Sequence, residues 1–118
     1  MKQFFIILGV LSNILLPTAS ALAHAMLDHA NPRVGNTVAT APREVTLWFT
    51  QKLEPAFSTM TVTDSSGQRV EAGKPSVSGN VMRVPLRAVK AGTYRVVWHV
   101  LSVDTHKTEG SFNFRVGE

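Results

Sequence analysis

The chain contains no cysteine. That absence removes every thiolate metal site, zinc fingers and iron–sulfur clusters included, and every disulfide. A small exported domain often relies on disulfides, so this one must be held by its apolar core. Long hydrophobic runs are also missing. The one apolar stretch, Phe4 to Leu16, is too short for a comfortable bilayer span, and no second one follows. Basic residues form no run, and aromatics are not interleaved with them, which argues against nucleic-acid binding. The formal net charge of +4 reads first as ordinary solubilising charge and second as a preference for an anionic membrane surface or an acidic partner. There is no glycine-rich phosphate loop, and the carboxylates are too few and dispersed for a glycosidase pair. Ser102, Asp104 and His106 carry the letters of a catalytic triad, but within one short segment they cannot make its relay geometry.

What is present begins with an export signal. Met1-Lys2-Gln3 is a positive start, Phe4 to Leu16 is the apolar middle, and Ala21-Leu22-Ala23 ends it with the A-x-A pattern of a secretory signal peptide. Cleavage after Ala23 is expected. Residues 1–23 are then a signal helix that is removed, and residues 24–118 are one small domain, expected to be soluble and exported. The cut frees the α-amine of His24. A terminal histidine offers a metal both its amine and its ring nitrogen, and so closes a chelate.

After the signal the hydrophobic pattern has period two. Val45, Leu47 and Phe49 alternate with Glu44, Thr46 and Trp48; Met60 and Val62 alternate with threonines. The same pattern runs through Met82 to Leu86, Tyr94 to Val100 and Phe112 to Val116. These read as half-buried strands. Turn signals separate them: Asn31-Pro32 to Gly35-Asn36, Ala41-Pro42, Ser65-Ser66-Gly67 and Ala91-Gly92. Lys52 to Phe57 has room for one helical turn, limited by Pro55. Lys74 to Asn80 reads as the most flexible loop. Short strands at regular spacing predict an all-β fold, an antiparallel β-sandwich. Gly92-Thr93-Tyr94 resembles the turn and tyrosine that lock corners in immunoglobulin-like folds. Trp48 and Trp98 read as core aromatics, and Met60 and Met82 as core fillers.

Four histidines follow the cleavage point: His24, His29, His99 and His106. In extended chain, residues two apart point to one side, so Asp104 and His106 could face one ligand together. The donors are then the His24 amine, the His24 ring, the His106 ring and an Asp104 oxygen. Three nitrogens and one oxygen suit tetragonal copper(II), whereas zinc prefers a tetrahedral set. On its own, Asp104 is more simply a turn residue and His106 a solvated one; the N-terminal His24 changes that balance. His29, beside Asp28, reads first as solvent-facing and second as an extra ligand. His99 reads as surface. Met26, two residues past the new terminus, is a weaker candidate for the same site. No cluster of methionines suggests a copper(I) site.

Several segments together resemble the CopC family of periplasmic copper-binding proteins. They are His24 with Asn31-Pro32, Val45-Thr46-Leu47-Trp48-Phe49, Gly92 to Trp98, Ser102-Val103-Asp104-Thr105-His106 and Gly110-Ser111-Phe112-Asn113-Phe114. The resemblance implies a seven- or eight-stranded immunoglobulin-like or cupredoxin-like Greek-key sandwich. It also implies a copper(II) site built from His24, Asp104 and His106, and a role in copper homeostasis or resistance. Some members carry a methionine-rich copper(I) site in a central loop; here Ser65 to Asn80 holds no methionine. The family often works with a CopD-type inner-membrane protein, which is not fused to this chain. The expected protein is a monomeric copper binder and not an enzyme. Two rivals remain at this point: a copper oxidase with an N-terminal histidine brace, and a metal-free interaction module.

Overall fold

The computed structural model of the protein describes residues 25–117; the signal segment, His24 and Glu118 lie outside the described residues. Eight strands are present: β1 (Leu27–Asn31), β2 (Thr37–Val38), β3 (Glu44–Phe49), β4 (Thr59–Thr63), β5 (Ser76–Ser78), β6 (Val81–Pro85), β7 (Gly92–Leu101) and β8 (Lys107–Val116). They form two four-stranded sheets, ordered β1-β3-β6-β5 and β2-β8-β7-β4. Every pairing is antiparallel except the two-residue contact of β2 with β8. The predicted β-sandwich is therefore observed, with one parallel pairing at a sheet edge.

The period-two pattern fixes which faces meet. Val45, Leu47 and Phe49 of β3 and Met82 and Val84 of β6 are buried from one sheet. Met60 and Val62 of β4, the inward set Tyr94 to Val100 of β7, and Phe112, Phe114 and Val116 of β8 are buried from the other. Burial of each such side chain contributes about 1.5–3 kcal/mol, which lets a domain without disulfides hold together. Gly110, opposite Trp98, leaves room for the indole: a Cβ there would lie 2.4 Å from Trp98 Cζ2. The predicted tyrosine corner is also observed. The Tyr94 hydroxyl donates to the Lys90 carbonyl at 2.6 Å, four residues upstream.

Some expectations need correction. Lys74 to Asn80 is not simply a loop. It contains β5, where Val77 pairs with Met82 across a tight turn holding Gly79 at φ 63°. Trp48 is not a core residue. Its register puts it on the outer face of β3, half-buried, stacked on the His29 ring at 4.2 Å and 10°. Trp98, by contrast, is buried and meets Phe49 edge-on at 5.1 Å. The segment after Lys52 does make a single turn, a 3-10 turn at Pro55–Phe57, with the proline at its start.

Strand direction gives the sandwich two distinct ends. β7 runs from Gly92 to Leu101 and β8 returns from Lys107 to Val116. One end carries the turn joining them, Ser102 to His106. The other carries the starts of β3 and β7 and the end of β6.

Candidate metal centre

The Ser102–His106 turn is tightly built. The Ser102 amide donates to the His106 carbonyl at 3.0 Å, and the Thr105 amide donates to the Ser102 carbonyl at 2.9 Å. Thr105 sits at φ 72°, the left-handed region that a β-branched residue rarely adopts. The strain costs on the order of 1–3 kcal/mol and persists only where the surroundings over-determine it. Those surroundings are visible. Ser102 pairs with Leu53, the Val103 amide donates to the Lys52 carbonyl at 3.0 Å, and the Glu54 amide donates to the Leu101 carbonyl at 2.8 Å. The turn is clamped from the side by the 52–54 segment.

This backbone brings Asp104 and His106 together, though not as extended chain would. The two residues flank a left-handed Thr105, and the turn, not strand alternation, aims both side chains to one place. His106 Nδ1 lies 3.4 Å from Asp104 Oδ1, and both side chains are partly exposed, 44% and 39%. Two cis ligands, each about 2.0 Å from one ion, stand about 2.8 Å apart. The observed separation is about 0.6 Å wider than that spacing. The donor set, one imidazole and one carboxylate, suits a divalent borderline cation.

Ser102 orients the carboxylate. It is fully buried. Its hydroxyl donates to Asp104 Oδ1 and accepts the His106 amide at 3.3 Å. That hydroxyl is the chief reason the Asp104 carboxyl is held below its ordinary 3.8, with His106 adding to the effect and desolvation opposing it. Asp104 is thus an ionised acceptor at neutral pH. The triad reading fails on the same contact, because the serine hydroxyl serves the aspartate and not a histidine base.

The start of the described chain arrives at this turn. The Met26 amide donates to Thr50 Oγ1 at 2.9 Å, and the Thr50 amide donates to the Met26 carbonyl at 2.8 Å. The Thr108 hydroxyl donates to the Ala25 carbonyl at 2.8 Å. Thr108 is two residues beyond His106, and Ala25 is one residue after His24. The described chain therefore begins beside the turn-proximal residues of β8. His24 itself lies outside the described residues. Among the described residues no group of three histidine or carboxylate side chains could hold a metal; Asp104 and His106 supply two donors.

The other histidines are engaged elsewhere. His99 is exposed on the outer face of β7, with Nε2 3.1 Å from Glu109 Oε1. His29 is exposed, with Nδ1 2.7 Å from Asp28 Oδ2 and its ring on Trp48. Met60 and Met82 are core, and Met26 is exposed at the lead into β1. Two contributors were hidden in the sequence: Ser102 as the partner of Asp104, and Thr108 as the anchor of the N-terminal lead. The S-x-D-x-H spacing carries the first; nothing local signals the second, which pairs residues 83 apart.

The family model for the CopC domain matches residues 27–117. The chain belongs to the CopC family. Copper resistance protein C of Xanthomonas campestris pv. juglandis is 38% identical over 110 residues, covering 86% of each chain. The crystal structure of CopC from Methylosinus trichosporium OB3b superposes with a TM-score of 0.75 at 31% identity, covering 80% of this chain and 94% of that one. PcoC, described as a methionine-rich copper resistance protein from Escherichia coli, superposes at 0.71 with 33% identity, covering 79% and 98%. This CopC chain holds four methionines in total, of which Met60 and Met82 are buried in the core.

Proposed function

We propose that this CopC-family chain is an exported, periplasmic protein that binds one copper(II) ion and sequesters or delivers it. The supporting observation is that the described chain begins, at Ala25, on Thr108, two residues from the Asp104–His106 pair. After cleavage following Ala23, the His24 amine and ring nitrogen form a chelate. His106 contributes a third nitrogen and Asp104 an oxygen. This set suits copper(II) because it contains hard and borderline donors in a number that fills an equatorial plane. The methionines favour the same oxidation state, since two of the three in the domain are core residues and cannot converge on an ion.

The role is binding and not catalysis. Ser102 is committed to Asp104, and the loop that carries the ligands is clamped in place. Metal capture displaces protons from the amine and the imidazoles, so affinity depends on pH. A CopD-type inner-membrane protein is the natural recipient for a small copper carrier of this family. The test is native mass spectrometry of the exported protein with and without copper(II). The expected species begins at His24 and gains one copper, and the gain is lost in His106→Ala. A chain that starts elsewhere, or that takes up copper equally after His106→Ala, contradicts the reading.

A further inference from the structure

The charges of the domain are sorted by end. Near the Ser102–His106 turn stand Asp28, Glu54, Asp104 and Glu109, against Lys52 and Lys107. At the opposite end the joining segments are tied together by backbone. The Leu86 amide donates to the Arg43 carbonyl at 2.9 Å and the Arg87 amide to the Val70 carbonyl at 2.9 Å, and the Tyr94 side-chain hydroxyl donates to the Lys90 carbonyl at 2.6 Å. Arg43, Arg87 and Lys90 are therefore fixed on one end, with Lys74 and Arg115 beside them. All five are exposed. Among the described residues none of the five has a carboxylate within ion-pair distance.

The few carboxylates at that end are already engaged. Glu71 pairs with Arg69 at 2.7 Å, Glu44 lies 3.9 Å from Arg83, and Asp64 accepts from Ser66 and Gln68. Between Arg43 and Arg87 runs a shallow groove lined by Ala41, Pro42, Leu86 and Ala88. Small apolar residues between cations let the guanidinium groups reach a flat target together.

We propose that this basic end docks on an anionic lipid surface. A lipid plane fits better than a peptide because the cations come from separate segments and spread over a whole end of the sandwich. The acidic residues at the other end are repelled by the same surface, which orients the molecule. The Asp104–His106 turn then faces away from the lipid, into the aqueous phase from which a cation arrives. The proposal rests on charge placement and stands whether or not the turn binds copper.

Each basic residue at an anionic surface strengthens partitioning about fivefold, the equivalent of about 1 kcal/mol. Co-sedimentation of the exported protein with vesicles of phosphatidylglycerol and phosphatidylcholine tests it, with pure phosphatidylcholine vesicles as reference. Binding to the mixed vesicles alone is expected, weakening as salt rises. The triple variant R43E/R87E/K90E should bind at least about tenfold more weakly, while K52E/K107E, at the other end, should bind no more weakly than the parent. If charge reversal disturbs the fold, seen as a lowered melting midpoint, the pair R43Q/R87Q replaces the triple variant. No binding to the mixed vesicles at low salt overturns the proposal, as does equal loss in the variants of both ends. Capture of an acidic protein in place of the vesicles also overturns it.

Discussion

Ser102→Ala deletes one oxygen from a fully buried position. The oxygen donates to the Asp104 carboxylate and accepts the His106 amide at 3.3 Å. Alanine keeps the Cβ, so packing changes little and the loss falls on the hydrogen bonds. Leaving this part-buried backbone amide without its acceptor costs up to about 1–3 kcal/mol of stability. The effect on metal binding is separate. Groups that orient a metal ligand contribute about 10- to 100-fold in affinity, so copper(II) affinity should fall by about tenfold or more. The carboxyl of Asp104 should also move back up toward 3.8, since the Ser102 hydroxyl is the main cause of its depression. A depressed carboxyl stabilises the fold above its unfolded pKa and loses that contribution as pH falls through its folded pKa; the variant should therefore lose that contribution at a higher pH. The assay is competition against a chelator of known affinity, with a thermal melt alongside. Parent-like copper affinity in Ser102→Ala, where His106→Ala binds weakly, would refute the positioning argument.

Other expectations follow from the same contacts. Gly110→Ala would drive a Cβ to 2.4 Å from Trp98 Cζ2, so overpacking of about 1–3 kcal/mol should appear in urea unfolding; a parent-like midpoint contradicts the packing. Tyr94→Phe removes the bond to the Lys90 carbonyl and should cost about 1 kcal/mol, with copper affinity unchanged by titration. Copper(II) affinity should fall steadily as pH drops, because protons compete with the ion for the amine and imidazole nitrogens. A copper affinity that does not change with pH contradicts nitrogen ligation.

The long strands were legible because one face of each is buried, and burial writes a period-two pattern. Tyr94 to Val100 and Phe112 to Val116 are cases where buried residues alternate with exposed or half-buried ones without a break. β2 and β5 were not legible: two and three residues are too few for a period, and their pairing is set by partners elsewhere in the chain. The first half of β8, Lys107 to Gly110, lacks large apolar residues and is a strand because β7 pairs with it throughout. Trp48 was misread because an aromatic in a strand suggests core, yet its parity with Glu44 and Thr46 already assigned it to the outer face.

The site was legible in its residue types but not in its geometry. Asp104 and His106 do converge, but through a left-handed Thr105 and a buried Ser102 and not through extended chain. The anchor of the N-terminal lead, Thr108 on Ala25, is a contact between distant residues that no spacing announces.

Two proteins differing by a single residue test the central claim most directly: the chain beginning at His24, and the same chain carrying Ala23 ahead of it. Electron paramagnetic resonance of the copper(II) forms reads the nitrogen ligands, and a competition titration reads the affinity. The account predicts that the extra residue removes one nitrogen from the hyperfine pattern and weakens binding. Identical spectra and equal affinity would contradict it.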